Sequence, residues 1–282
     1  MTLDGIAAIT FDFGNTLVPV SRDGLRGVVE RTAADVADTD PRIDAATFLT
    51  VWAEERERQF REEVPQFREV DLGQRLVRIF ARLRGMTAPG RDEPWDQRAA
   101  AAYSDPAEVT RAVEHYSRAF VDALPPLPGV GELLRDLARE RALAILSNWP
   151  LAATVDRFAE AHGWIDSLAA IVVSQRVGTI KPHPAIFDAA RVALGAPEPG
   201  SILHVGDDWA GDVVGAIEAG WHAAWVRGRP ADSPLPSSEA DGPHRPDLEL
   251  ESVVDLRTSL GRPGSTQPAA RRSEPILGSS PG

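Results

Sequence analysis

Short apolar runs recur along this chain, and most end on an acid, a hydroxyl or a lysine. Residues 6–11, bounded by Gly5 and Gly14, predict one buried strand. From residue 122 onward the rhythm becomes regular. Helices are predicted over 129–140, 151–163, 184–194 and 209–219. Strands are predicted over 142–146, 169–174, 201–205 and 222–226. Residues 247–250 and 252–260 add a last strand and helix. Strands alternating with helices of this length imply a parallel sheet with right-handed crossovers. Between the first strand and this series the pattern changes. Stretches 24–38, 45–64, 70–84 and 106–121 carry apolar residues at helical spacing, with breaks at Pro41, Pro65, Gly85 and Pro89. The expected fold is α/β. A Rossmann-like three-layer core with a parallel sheet is formed by residues 1–20 and 122–260, and an all-helical insertion occupies 21–121.

Two further segments lack periodicity. Residues 228–245 hold Pro, Ser and Gly and read as a loop between two core elements. Residues 261–282 have few large apolar side chains, too few to offset the entropy of ordering, and read as a disordered tail.

Composition narrows the functional classes. The net charge is −12, which argues against a nucleic-acid partner. It does not argue against a small phosphorylated metabolite, because a local site can differ in sign from the whole. There is no cysteine, so disulfides, thiolate catalysis and cysteine-held zinc are excluded. No apolar run reaches membrane-spanning length and no signal segment is evident, so a soluble cytoplasmic protein is expected.

The polar residues at the strand tips carry the chemistry. Asp12 ends the first strand and opens the turn through Phe13 and Gly14. Ser147 and Asn148 end the strand at 142–146, and Lys181 lies beyond 169–174. Asp207, Asp208 and Asp212 follow 201–205. Open α/β sheets bind ligands at the carboxyl ends of their strands. There Asp12 can act as nucleophile on a phosphoryl group. The amides of Phe13 and Gly14 can receive its oxygens. Ser147 offers a hydroxyl and Lys181 a compact positive charge. Four carboxylates against one lysine require further compensation. Oxygen ligands and a phosphate substrate favour Mg²⁺.

Four motifs in this order resemble those of the haloacid dehalogenase-like (HAD) hydrolases. They are Asp12 to Thr16, Ser147, Lys181 with its neighbours from Gly178 to Pro184, and Gly206 to Asp212. The resemblance spans about residues 5–260 and implies that the helical insertion is a cap of the family's first type. It also implies that Asp12, the carbonyl of Gly14 and Asp207 hold Mg²⁺, with Asp212 steadying those ligands or their waters. The activity implied is hydrolysis of a small organic phosphomonoester through an aspartyl-phosphate.

One position departs from the family's phosphatases. Their second Asp, two residues after the nucleophile, is Gly14 here. That Asp protonates the leaving group, a service worth ~10²–10⁴-fold. Its loss suits an ester with an acidic leaving group, or an acid supplied by the cap. It also raises two alternatives. Haloacid dehalogenases lack that acid and need no metal, yet they carry Tyr at this position and Ser–Asn in place of Gly206 and Asp207. A degenerate domain without turnover is the other.

Several residues also have plainer expectations. Ser147, Asp207 and Asp212 can each cap a helix. His204, inside an apolar strand, reads as a satisfied core histidine, and His183 as a substrate contact near the mouth. Trp149 and Trp209 are expected at the rim. Glu54 to Glu57 read as a solvated helix face. Trp52, Phe60, Phe67, Tyr103 and Tyr116 are expected mostly in the core of the insertion.

Overall fold

A computed structural model describes residue 3 and residues 5–90 and 100–260. The tail expected at 261–282 lies outside the described residues. The sheet contains β1 (Ala8–Phe11), β2 (Ala142–Ser147), β3 (Ala170–Val173), β4 (Ile202–Gly206), β5 (His222–Val226) and β6 (Leu248–Leu250). All pair in parallel, in the order β3-β2-β1-β4-β5-β6. That order reverses direction beside β1, so the crevice expected of an open sheet opens at the tips of β1 and β4. Every residue of β1 and β4 is buried, as central strands covered on both faces require.

The interval after β1 holds the helices α1 (Arg22–Thr39), α2 (Ala45–Glu62), α3 (Leu72–Leu83) and α4 (Pro106–Ala123), ahead of the core helix Val130–Leu137. Their starts are set by side chains that accept amide protons, Ser21 for α1, Asp44 for α2, Asp71 for α3 and Asp105 for α4. The insertion docks on the carboxyl edge of the sheet through the main chain. Leu72 N donates to Pro150 O (2.8 Å), and Ile180 N donates to Phe67 O (3.1 Å). An aromatic cluster glues the same junction. Phe13 meets Trp149 edge-on at 5.1 Å and Phe158 at 5.3 Å, and Phe120 of α4 meets Trp149 at 5.2 Å.

The remaining core helices are α5 (Val130–Leu137), α6 (Ala152–Ala161), α7 (Ser174–Val177) and α8 (Pro184–Ala193). The helix expected over 209–219 is different in kind. Trp209–Val214 is a π-helical stretch, which passes into α9 (Gly215–Glu218). Asp208 caps it by accepting from Gly211 N at 2.7 Å. Residues 252–260 are likewise split, into a 3₁₀ turn (Val253–Asp255) and α10 (Leu256–Ser259). No described helix is long and apolar enough to cross a membrane.

Trp149 and Trp209 are buried rather than at the rim, because each finds aromatic partners, Trp209 against Trp225 at 5.0 Å. The charged stretch of α2 is only partly solvated. Glu55 is buried and accepts from Arg78 at 2.6 Å and from Arg58 and Arg82 at 2.9 Å. The helical period turns that one carboxylate toward the arginines of α3 while Glu54 and Glu57 face water.

Phe158 lies at the centre of the aromatic cluster and is fully buried. Phe158→Ala should cost ~3–5 kcal/mol of stability. Val192→Ala, on α8 at the other face of the sheet and 66% exposed, should stay within about 0.5 kcal/mol. Urea denaturation of both variants checks the contrast, and similar losses would contradict the packing described.

Candidate active site

The site is assembled from strand tips. Main-chain pairing of β1 to β4 extends to Asp12, whose N donates to Val205 O at 2.8 Å. This sets Asp12 beside Asp207, which follows β4. The turn after Asp12 folds back sharply, with Leu17 N and Val18 N both donating to Phe13 O. Asn15 adopts a positive φ of 60° at its tip, a conformation Asn tolerates better than most residues.

Lys181 reaches in from the loop between α7 and α8. Its Nζ donates to Asp12 Oδ1 (2.8 Å), Asp212 Oδ1 (2.6 Å) and Leu146 O (2.9 Å). These bonds use all three donors of the ammonium. Asn148 holds the loop in place. Its Nδ2 donates to Lys181 O (3.1 Å) and its Oδ1 accepts from Lys181 N (2.7 Å). Asn148 thus positions Lys181, and its Nδ2 keeps a second N–H at the cavity for the phosphate contact the sequence suggests. Ser147 is buried, and its hydroxyl has no hydrogen-bond partner in the protein. It caps no helix, since α6 begins only at Ala152.

His204 is a buried histidine with both nitrogens engaged. Nδ1 lies 2.7 Å from Thr10 Oγ1 and Nε2 lies 3.0 Å from Asp212 Oδ1. Burial pushes its pKa below the ordinary value. A neutral ring must donate from Nε2 to the carboxylate, so Nδ1 accepts the Thr10 hydroxyl. The core reading of His204 is therefore incomplete, because the ring also orients Asp212. Asp212 in turn accepts Asp208 N at 2.8 Å. It fits only because residue 206 is glycine: a Cβ there would lie 2.1 Å from Asp212 Cγ. Helix capping falls to Asp208 and not to Asp207 or Asp212.

One carboxylate oxygen each from Asp12, Asp207 and Asp212 lies within 4.8 Å of the others. Burial pushes Asp12 up to about 6, against the pull of Lys181 and with a push from Asp212. Burial raises Asp207 well above the carboxylate range, reinforced by Asp12 and Asp212. Asp212 goes the other way. Its burial is outweighed by Lys181 and His204, which hold it below the usual range. Burial would lower Lys181, but Asp12 and Asp212 together raise it. The all-oxygen donor set, two of whose carboxylates are short of positive charge, fits a hard divalent cation. The unpartnered Ser147 hydroxyl fits an anionic oxygen.

The loop at 228–245 is more than a connector. Arg229 donates to Asp207 Oδ2 (3.1 Å) and Leu235 O (3.0 Å). Asn15 Nδ2 donates to Ser233 Oγ (3.0 Å), and Ser238 N donates to Asp208 Oδ1 (2.6 Å). The loop thus straps across the mouth, and Asp208, which the sequence leaves without a role, anchors it. Leu235 covers Gly14. A Cβ at Gly14 would lie 2.6 Å from Leu235 Cδ1 and 3.0 Å from the Trp149 ring. Sequence reading missed Arg229, Ser233 and Leu235, and no periodic signal marks them.

A cavity of about 290 Å³ joins these residues to the insertion. Asp12, Gly14, Lys181, Asp207 and Asp212 line one end, and Trp52, Arg56, Phe60, Glu69, Arg75 and Tyr116 line the other. Trp52, Phe60 and Tyr116 therefore serve the cleft as well as the insertion's core. Phe67 is exposed. His183 is not at the cavity; it caps α8 by accepting from Ala185 N at 3.2 Å.

A parallel sheet with an Asp-Lys-Asp cluster at its switch point and a helical insertion above it defines a hydrolase of the HAD type. Residues 6–220 match the haloacid dehalogenase-like hydrolase family, and the chain belongs to it. Two curated relatives come from Escherichia coli (strain K12). The pyrimidine 5'-nucleotidase YjjG is 30% identical over 145 residues, 51% of this chain and 61% of that protein. The 5-amino-6-(5-phospho-D-ribitylamino)uracil phosphatase YigB is 36% identical over 118 residues, 41% of this chain and 48% of that protein. The chain thus spans about half to three-fifths of the length of these relatives. Among solved structures, a 2-haloacid dehalogenase from Pseudomonas syringae pv. Tomato DC3000 superposes with a TM-score of 0.60 at 22% identity, covering 90% of this chain and 98% of that one. A HAD phosphatase from Thermococcus onnurineus gives 0.54 at 20% identity, covering 90% and 98%. These likenesses fix the fold, and they include both chemistries.

The raised Asp12 pKa has a consequence for stability. Folded Asp12 holds its proton more tightly than unfolded Asp12, so between pH 3.8 and about 6 folding takes up a proton. Stability from this group therefore falls as pH rises through that window, by up to ~3 kcal/mol. Asp12→Asn removes this loss. In chelator, the wild type should lose stability relative to Asp12→Asn across the window, as read by denaturant melts at several pH values. Parallel profiles would contradict the assigned electrostatics.

Proposed function

We propose that this protein is a Mg²⁺-dependent phosphatase acting on a small organic phosphomonoester. The observation that carries this reading is the approach of the Asp12, Asp207 and Asp212 oxygens to within 4.8 Å of one another, beside a buried lysine. The phosphatase names of the two curated relatives support it.

Asp12 is the nucleophile in this reading. Lys181 fixes it through one oxygen. It attacks phosphorus, the ester oxygen leaves with the bonding pair, and water then cleaves the aspartyl-phosphate. The amides of Phe13 and Gly14 and the hydroxyl of Ser147 receive the transferring oxygens. Asp12, Asp207 and the Gly14 carbonyl would hold Mg²⁺, with Asp212 behind them. Bound there, the cation neutralises charge on the phosphoryl group and keeps Asp12 ionised. Arg229 shares Asp207 and so tunes that carboxylate from the far side.

The second reading is a metal-independent haloacid dehalogenase, favoured by the absence of an acid at Gly14. Halide departs without a proton. Asp12→Asn should abolish turnover while preserving the fold. Phosphate release in Mg²⁺ that disappears with chelator supports the phosphatase. Halide release from 2-haloacids, unaffected by chelator, would replace it with the dehalogenase.

The place of the missing acid is occupied by Leu235 and Trp149, so the leaving group meets an apolar wall there. Esters with acidic leaving groups should be preferred. Gly14→Asp combined with Leu235→Ala, which clears the space, should raise the rate on an alkyl phosphate selectively over an aryl phosphate. An equal change on both would refute the role assigned to that wall.

A further inference from the structure

The arginines facing the α2–α3 interface are supplied with carboxylates. Arg58 bonds Glu55 and Glu62 at 2.9 and 2.8 Å. Arg78 bonds Glu55 at 2.6 Å. Arg82 bonds Glu55 at 2.9 Å and also Glu54. Two arginines break this pattern, and both line the cavity opposite Asp12. Arg75 is only 4% exposed. Its Nε donates to the neutral Gln59 Oε1 at 2.8 Å, and another nitrogen reaches Val70 O at 3.4 Å. Its guanidinium stands 5.2 Å from the Trp52 ring. Arg56 sits 4.6 Å over the Phe60 ring. Neither has a carboxylate within 4.0 Å among the described residues.

Carbonyls and ring faces do not neutralise a buried guanidinium, and a buried charge without a counter-ion is costly. Burial lowers the Arg75 pKa only to about 10, so the charge persists at neutral pH. Glu69 lines the same cavity, and it and Asp71 are near enough to act on Arg75, but neither forms an ion pair with it: Glu69 accepts from Val70 N and Ser174 Oγ, Asp71 accepts from Gln74 N, and burial raises the pKa of both. Leu25, Val29, Val64 and Val70 are apolar members of the same cavity lining.

Resting on the phosphatase reading above, we propose that Arg75, with Arg56 beside it, binds a second anionic group of the substrate. The preferred substrate class is then a phosphomonoester that carries a carboxylate or a further phosphate at its far end. The phosphoryl end lies at Asp12 and the second anion under α2 and α3. A planar guanidinium suits either group, because both accept paired hydrogen bonds.

The test measures binding and needs no turnover. The probes are ω-phosphonoalkanoates of graded length, their carboxyl methyl esters and the matching bisphosphonates. Each is titrated calorimetrically into the full chain with Mg²⁺. At the best length the free acid should bind about tenfold or more tightly than its methyl ester. Arg75→Gln should bring that ratio close to one, and Arg56→Gln should lower it. A bisphosphonate that binds more tightly than the phosphonoalkanoate would identify the second group as phosphate; the reverse order would identify it as carboxylate. Equal wild-type affinity for acid and methyl ester would overturn the proposal, whether or not the variants fold. Equal weakening of both probes by Arg75→Gln would also overturn it, because that is the signature of a merely structural arginine. Failure to release phosphate from any ester would count against the catalytic reading and leave this binding ratio standing.

Discussion

A single buried ammonium holds this site together. Lys181 binds the tip of β1 through Asp12, the tip of β2 through Leu146 O, and the segment after β4 through Asp212. Carboxylates so close to one another repel, and burial raises the cost of their charges. The sheet brings the three strand ends together, and without the lysine the carboxylates gathered there would be left unpaired in the interior, at a cost of several kcal/mol. Each neighbouring feature keeps the lysine in place. Asn148 clamps its main chain, His204 turns Asp212 toward it, and Gly206 leaves the space in which Asp212 stands. The sheet order supplies the rest, since only with β1 between β2 and β4 do these tips become neighbours.

A second constraint comes from the opposite side of Asp207. The segment after β5 returns over the mouth and is fastened at three points, Arg229 to Asp207, Ser233 to Asn15 and Ser238 to Asp208. Its Leu235 takes the place that a side chain at position 14 would need. The wall that closes the site therefore belongs partly to the core and not wholly to the helical insertion. On the proposed reading, the position from which an acid would serve the leaving group is apolar, and that apolar wall also limits the approach of water. Both effects favour a leaving group that departs unaided.

Periodicity and strand-tip chemistry made the frame of this protein legible. The alternation after residue 122 foretold the parallel sheet, and polar residues ending apolar runs foretold which side chains meet. These features are local, so a pattern of a few residues contains them. What escaped depends on contacts distant in sequence. Arg229 looks like any loop arginine until the chain returns over Asp207, 22 residues away. Asp208 looked like a spare acid because its partner, Ser238, sits in a segment without periodicity. Glu55 looked solvated because charge spacing along α2 does not reveal that α3 faces it with arginines. Trp209 was misplaced, and the contact of His204 with Asp212 missed, for a related reason. Burial of a polar or aromatic group is decided by its neighbours in space, and the sequence names only its neighbours along the chain.

The distribution of charge around the cavity explains how an acidic protein can accept an anion. Asp12, Asp207, Asp208 and Asp212 line its floor, offset in the protein itself by Lys181 and Arg229. On the phosphatase reading, a phosphate entering from solvent would meet repulsion there until a divalent cation offset it. Arg56 and Arg75 line the roof beside Glu69, without an ion-paired carboxylate among the described residues. On the proposed reading, attraction of an anionic ligand begins at the insertion, while its reaction depends on the core. The overall charge of −12 is felt at long range and is screened within about 10 Å at moderate salt. Inside the cavity the nearest groups decide, and they divide the space into an end that selects the ligand and an end that acts on it.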